Sequence, residues 1–208
     1  MSMSINECPE APFHGKPFRY CVCGWNENTS LEETAAYLLK QTTGLDVQSD
    51  HGRGTPRRFV RMLRELTTPE EFTLTTFLNS EDRHDLIVVQ DIPFVSLCNH
   101  HVIPFVGKAH IAYVPGDNIV GLSKFARLVH YHAKRLHVQE NLTADIAEHL
   151  WSSLKPIGVG VVMQAEHMCM TIRGVQTPGT LTTTSVMQGC FADHDKTAKS
   201  EFMSIIGL

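Results

Sequence analysis

The feature that most constrains this chain is the order of its apolar patterns between Leu86 and Met187. Leu86 to Leu97 is rich in Ile and Val and reads as a strand; Phe105 to Val114 reads as a second, closed by Pro115 and Gly116. The period then changes. Ser123 to Leu136 sets Phe125, Leu128, Val129 and Leu136 on one apolar stripe, and Thr143 to Leu154 repeats this with Ile146, Ala147, Leu150 and Trp151. Gly158 to Met170 and Leu181 to Met187 return to strand character. Strand, strand, helix, helix, strand, strand predicts an α+β fold, with two helices packed on one face of a four-stranded antiparallel sheet.

The first 80 residues read differently. Residues 1–30 are broken by Pro9, Pro12, Gly15, Pro17 and Gly24, hold no period, and form an irregular arm. Leu31 to Thr43 is a predicted helix, with Ser30 as its cap and Glu33 three residues on. A second helix begins near Pro56, places Phe59, Met62 and Leu63 on one side, and stops before Pro69. The chain therefore divides into an arm (1–30), a helical segment (31–80) and a main domain (81–208). No stretch approaches the ~20 apolar residues of a membrane span. Met1 to Pro12 has no basic region followed by an apolar run, so the chain is expected in the cytoplasm. A formal charge of −4 argues against a general nucleic-acid binder.

Six cysteines with no export signal favour metal or catalytic use over disulfides. Cys98-Asn99-His100-His101 holds a Cys-x2-His step, and Glu166-His167-Met168-Cys169 lies on a later strand. Cys98, His101 and Cys169 could supply three zinc ligands, leaving a fourth position for a water acidified toward pH ~7. Spacing alone leaves open a structural site closed by His100 or another cysteine. On that strand His167 and Cys169 share a face, because side chains repeat every two residues. His100 and His167 are suited to moving protons near an activated water, or else to hydrogen bonding in the core. Cys21-Val22-Cys23 reads as a pair of tail thiols.

Gly121 to Arg127 opens a helix. Ser123 as cap, with Lys124 and Arg127 three residues apart, makes a candidate phosphate cradle; a solvated basic helix start is the alternative. Arg173, Arg57 and Arg58 are further candidate cations. Gln139 and Glu140 sit at the expected break between the two helices. A carboxylate there matches the paired N–H edge of guanine, although alone it reads as a loop residue.

Together these residues resemble the GTP cyclohydrolase I family. The matching pieces are Thr55-Pro56-Arg57-Arg58, Ser96-Leu97-Cys98-Asn99-His100-His101, Gly121-Leu122-Ser123-Lys124 with Arg127, Val138-Gln139-Glu140-Asn141-Leu142-Thr143, and Glu166-His167-Met168-Cys169-Met170-Thr171-Ile172-Arg173-Gly174. They stand in the family's order from about residue 31 to the C-terminus. The resemblance implies the tunnelling fold, whose sheets assemble into an oligomeric barrel, commonly a decameric toroid with active sites at subunit boundaries. It implies Zn2+ on Cys98, His101 and Cys169, with His100 and His167 as catalytic histidines. Glu140, with Gln139 beside it, would hold guanine. Ser123, Lys124, Arg127, Arg173 and Arg58 would bind the triphosphate. The implied reaction converts GTP and water to 7,8-dihydroneopterin triphosphate and formate, opening folate, biopterin or 7-deazaguanine synthesis. Position 99 departs from the family, with Asn where Glu is usual. A related tunnelling-fold enzyme with another metal set or a lone nucleophilic cysteine is disfavoured by the pairing of Cys98 and His101 with Cys169. A zinc-stabilised GTP or pterin binder is disfavoured by the presence of both His100 and His167.

Overall fold

The computed structural model describes residues 30–192 and 197–208. The expected arm up to residue 29, with Cys8, Cys21 and Cys23, lies outside the described residues. The described residues fall into two compact units, divided between Met62 and Leu63.

In the first unit α1 (Leu31–Thr43) begins as its sequence predicts. The Glu33 N–H donates to Ser30 Oγ at 3.2 Å and the Ser30 N–H to Glu33 Oε2 at 2.8 Å, satisfying two donors that a helix start otherwise leaves unpaired. Gly44 ends the helix at φ 72°, a left-handed conformation that glycine adopts without steric cost. Pro56 occupies the first turn of α2 (Thr55–Thr67).

The second unit is built on a sheet. After β1 (Thr76–Leu78) come β2 (Ile87–Cys98), β3 (Pro104–Val114) and β4 (Asn118–Val120), then α3 (Ser123–Ala133), β5 (Leu136–His137) and α4 (Gln139–Leu154). β6 (Gly158–His167), α5 (Met168–Thr171), β7 (Leu181–Gly189) and α6 (Thr197–Ile205) complete it. β2, β3, β6 and β7 form the antiparallel sheet that the pattern predicts, and they are neighbours in that order. Side chains alternate across a strand. Ile111, Tyr113, Val161 and Met163 therefore face the two central helices, where they pack with Phe125, Leu128, Ile146 and Leu150 in one buried core.

Several elements depart from the sequence reading. α3 stops at Ala133, and Leu136, expected as its last residue, begins β5, which pairs parallel to the end of β2. The sheet thus has five strands rather than four. α4 starts at Gln139 rather than Thr143; Val138 precedes it with no side-chain cap to announce the start. β6 ends at His167, and the residues after it wind into α5 instead of extending the strand to Met170. Within the segment read as helical, β1 pairs with β4. The C-terminal α6, unannounced in a mostly polar stretch, puts Phe202 against Ala112, Val114 and Val162 on the opposite sheet face. Helices thus cover part of both faces. Gly160 leaves room for this, since a Cβ there would lie 3.0 Å from the Phe202 ring. Among the described residues β7 has a strand on one side only, and no helix is long and apolar enough to cross a membrane.

α3 and α4 are also joined by a histidine pair, with buried His132 Nε2 3.0 Å from half-buried His149 Nδ1. Burial above all, then the charges of His149, Arg135 and His137, hold His132 down to about 4. A protonated His132 would have to donate from both ring nitrogens, and its Nδ1 has no partner. The unfolded chain takes up that proton near pH ~6.5, so this contribution to stability is intact above that pH and is lost as pH falls toward 4. Urea unfolding at fixed protein concentration should show a loss on the order of 2 kcal/mol between pH 7.5 and pH 5 from this residue, and His132→Phe should flatten that dependence.

Candidate active site

The candidate site gathers where β2, α4 and β6 end or begin. β2 closes at Cys98 in a tight turn: the Cys98 N–H donates to Ile103 O at 2.9 Å and the Val102 N–H to Cys98 O at 2.8 Å. Val102 sits at φ 55°, a conformation that costs a β-branched residue on the order of 1–2 kcal/mol. The Asn99 N–H donates to His137 O at 3.0 Å, so the unforeseen β5 fastens the turn to the sheet. From the other side α5 presents Cys169.

Ligand atoms of Cys98, His101 and Cys169 all lie within 4.8 Å of one another. Two thiols and an imidazole form a soft, nitrogen-and-sulfur donor set, close enough for one ion to reach all three, and they fit a zinc-type metal. Burial raises the Cys169 thiol, nearby Cys98 raises it further, and Arg173 opposes them. A bound cation would reverse this balance. His100 is exposed; its Nδ1 is 3.9 Å from Cys98 Sγ, as is that of His101. Among the described residues His100 is not part of the three-donor group.

His167 is fixed on two sides. Its ring stacks on buried Phe105, with centroids 4.7 Å apart and planes 2° from parallel, because the two residues are register partners on β3 and β6. Its Nε2 lies 2.8 Å from Gln139 Oε1. The Gln139 amide nitrogen faces Met163 O at 3.1 Å and Thr182 O at 3.0 Å, and carbonyls only accept. The amide oxygen therefore faces His167, so Nε2 carries the hydrogen and Nδ1 keeps the lone pair in the neutral ring. Thr143 donates to Gln139 O at 2.8 Å and lies 2.6 Å from Thr184, which accepts from the Gln139 amide at 3.1 Å. Burial lowers the basicity of His167, and Glu140 partly restores it.

This geometry corrects two readings and adds to a third. Gln139, expected to help hold guanine, has both ends of its amide engaged within the protein, where it orients His167. Glu140 stands in the first turn of α4, where the positive end of the helix dipole favours a carboxylate, rather than in a break between helices. His167 and Cys169 do not share a strand face; α5 turns Cys169 back toward Cys98. The partnerships of Phe105, Thr143 and Thr184 went unread, because strand register and a long-range network bring them in and no local spacing signals either.

The candidate phosphate-binding residues stand on several separate elements. Arg173 follows α5, close enough to act on Cys169. Ser123 does not cap α3: Leu122 occupies that position in helical conformation, and the Lys124 N–H is taken by Gly121 O at 2.8 Å. Lys124 Nζ donates to Thr73 O at 2.8 Å. Arg127 lines a cleft of about 470 Å³ with Glu70, His130, Tyr131 and Lys134. Arg58, in the N-terminal unit, donates to Thr55 Oγ1 at 2.9 Å and to His51 O at 3.3 Å.

Residues 31–207 match the GTP cyclohydrolase I family. A GTP cyclohydrolase 1 from Synechococcus sp. (strain JA-3-3Ab) is 46% identical over 176 residues, covering 83% of this chain and 76% of that protein. One from Sulfurihydrogenibium sp. is 43% identical, covering 84% of this chain and 92% of its own length. One from Halalkalibacterium halodurans is 42% identical, covering 84% and 94%.

Proposed function

Given that the chain belongs to the GTP cyclohydrolase I family, we propose that it converts GTP and water to 7,8-dihydroneopterin triphosphate and formate, the step that opens pterin biosynthesis. The observation that carries this reading is the convergence of Cys98, His101 and Cys169 in a chain that also presents an oriented His167. Zinc held by those three residues would supply Lewis acidity for the hydrolytic steps.

The chain's own groups divide the remaining work. Glu140 accepts from the amide and amine edge of guanine and holds the imidazole ring over the site. His167 takes up or returns a proton at Nδ1, since its Nε2–H is committed to Gln139. His100, exposed beside Cys98, serves as the second proton carrier. A triphosphate brings roughly four negative charges, and several cations must converge on it. Arg173 belongs to the same surface as Cys169, whereas Ser123, Lys124, Arg127 and Arg58 would come in from neighbouring subunits of a homo-oligomer, a decameric toroid with sites at subunit boundaries. In this reading residues 81–208 are the tunnelling-fold catalytic domain, residues 31–80 add helical contacts, and the enzyme works on GTP in the cytoplasm.

Incubating zinc-loaded protein with GTP, oxidising the mixture and reading neopterin fluorescence tests the proposal. The expected result is a signal abolished by a chelator. Intact GTP in the presence of bound zinc would overturn it. GTP consumed without neopterin would limit the activity to ring opening and make Asn99→Glu the first reversion to try.

A further inference from the structure

The proposed roles leave Glu166 without a task, although it begins the stretch that carries His167, Cys169 and Arg173. Its Oε1 accepts two hydrogen bonds. One comes from Thr171 Oγ1 at 3.0 Å, at the end of α5, and the other from the Gly179 N–H at 2.8 Å, at the far end of the following loop. Both bonds favour the ionised form and hold the Glu166 carboxyl below its usual range. One carboxylate oxygen therefore ties together the turn bearing Cys169 and both ends of the loop bearing Arg173.

That loop has little else to order it. Ile172 and Val175 are 64% and 69% exposed, so neither anchors it in the core. Gly174, Gln176 and Gly179 all have positive φ, at 63°, 51° and 79°. Gln176 has a Cβ and is strained there, so the loop relaxes unless something holds it. Backbone bonds help within it, from Thr177 N–H to Met170 O at 3.0 Å and from Gln176 N–H to Arg173 O at 3.3 Å. Among the described residues Glu166 is the one side chain that hydrogen-bonds into residues 172–180.

We propose that Glu166 is a positioning residue: it clamps the 172–180 loop onto β6 and α5 so that Arg173 is presented at a fixed place for the substrate's phosphates. The clamp is read from the geometry alone; its effect on substrate rests on the reading of Arg173 given above. Glu166 touches neither substrate nor metal in this assignment.

Three variants of the zinc-loaded full chain test it: Glu166→Ala, Glu166→Gln and Arg173→Ala. Hydrogen exchange reads the clamp. In Glu166→Ala the amides of 172–180 should lose protection while β6 and β7 keep theirs, and unchanged loop protection would overturn the proposal. Kinetics read the consequence. Glu166→Ala should raise KM for GTP about tenfold with kcat changed less than about threefold and zinc content unchanged, as expected when an interaction that binds ground and transition states alike is lost. Glu166→Gln, whose amide oxygen still accepts both bonds, should stay within about threefold of the parent on both parameters. In the double variant the Glu166→Ala effect should vanish against Arg173→Ala, because the two act through one contact. Multiplying effects, or loss of zinc in Glu166→Ala, would overturn the proposal. If Arg173→Ala alone leaves KM unchanged, the phosphate reading of Arg173 fails, and the exchange data still decide whether the clamp exists.

Discussion

Replacing His167 by alanine should leave the metal content of the protein unchanged and lower formation of dihydroneopterin triphosphate by about 10²–10⁴-fold, the usual worth of a positioned proton-transfer group. The expectation rests on how little freedom this ring has. Phe105 fixes its plane, and Gln139 fixes which nitrogen carries the hydrogen. A group held so firmly, two residues from Cys169 but outside the three-donor cluster, fits chemistry better than ligation. Zinc measured per subunit and neopterin fluorescence read the two halves of the prediction separately. Turnover near the parent level in a folded, zinc-loaded variant would remove His167 from the mechanism. Loss of zinc would instead place it among the ligands.

Cys169→Ser should act on the other half. A serine hydroxyl is a poor ligand for a soft site, and the change removes one of the three donors found among the described residues. Zinc affinity should fall by at least about 10²-fold, and turnover should be lost at sub-stoichiometric metal, with partial recovery when zinc is supplied in excess. The variant should still fold, since Cys169 is only half-buried and lies outside the buried core, against which it packs from one side. Full zinc content together with full turnover would refute the ligand assignment.

The sheet and its two central helices were legible because burial imposes periods that survive in the sequence. Phe125, Leu128 and Val129, and Ile146, Ala147 and Leu150, are all inaccessible in the folded chain, as their spacing predicts. The capping box of Ser30 and Glu33 was legible for a different reason, since both halves of it are local. What could not be read was set by partners distant in sequence. β5 is two residues long and exists because the end of β2 is beside it. α5 follows a β-strand without punctuation, and its four residues include nothing that forbids a strand. α6 is specified mainly by Phe202, whose socket is made by Ala112, Val114, Val162 and the bare backbone of Gly160. The same limit applied at the site. The Cys-x2-His step pointed to metal, and the structure brings those residues to Cys169. Gln139 is expected at the guanine because it adjoins Glu140, and only the fold adds that its amide turns inward to Met163, Thr182 and His167.

The outer edge of β7 bears on how this chain survives in a crowded solution. Along its nine residues the backbone groups that point away from β6 have no neighbouring strand among the described residues, and Leu181 adds an exposed apolar side chain. Such an edge is adhesive and makes no distinction between a correct neighbour and a misfolded one. In the proposed homo-oligomer, solubility and assembly are therefore a single property, since whichever surface first docks along β7 decides between a working particle and a precipitate. A substitution that slows docking without touching any catalytic group should first appear as lost yield on expression, ahead of any change in rate.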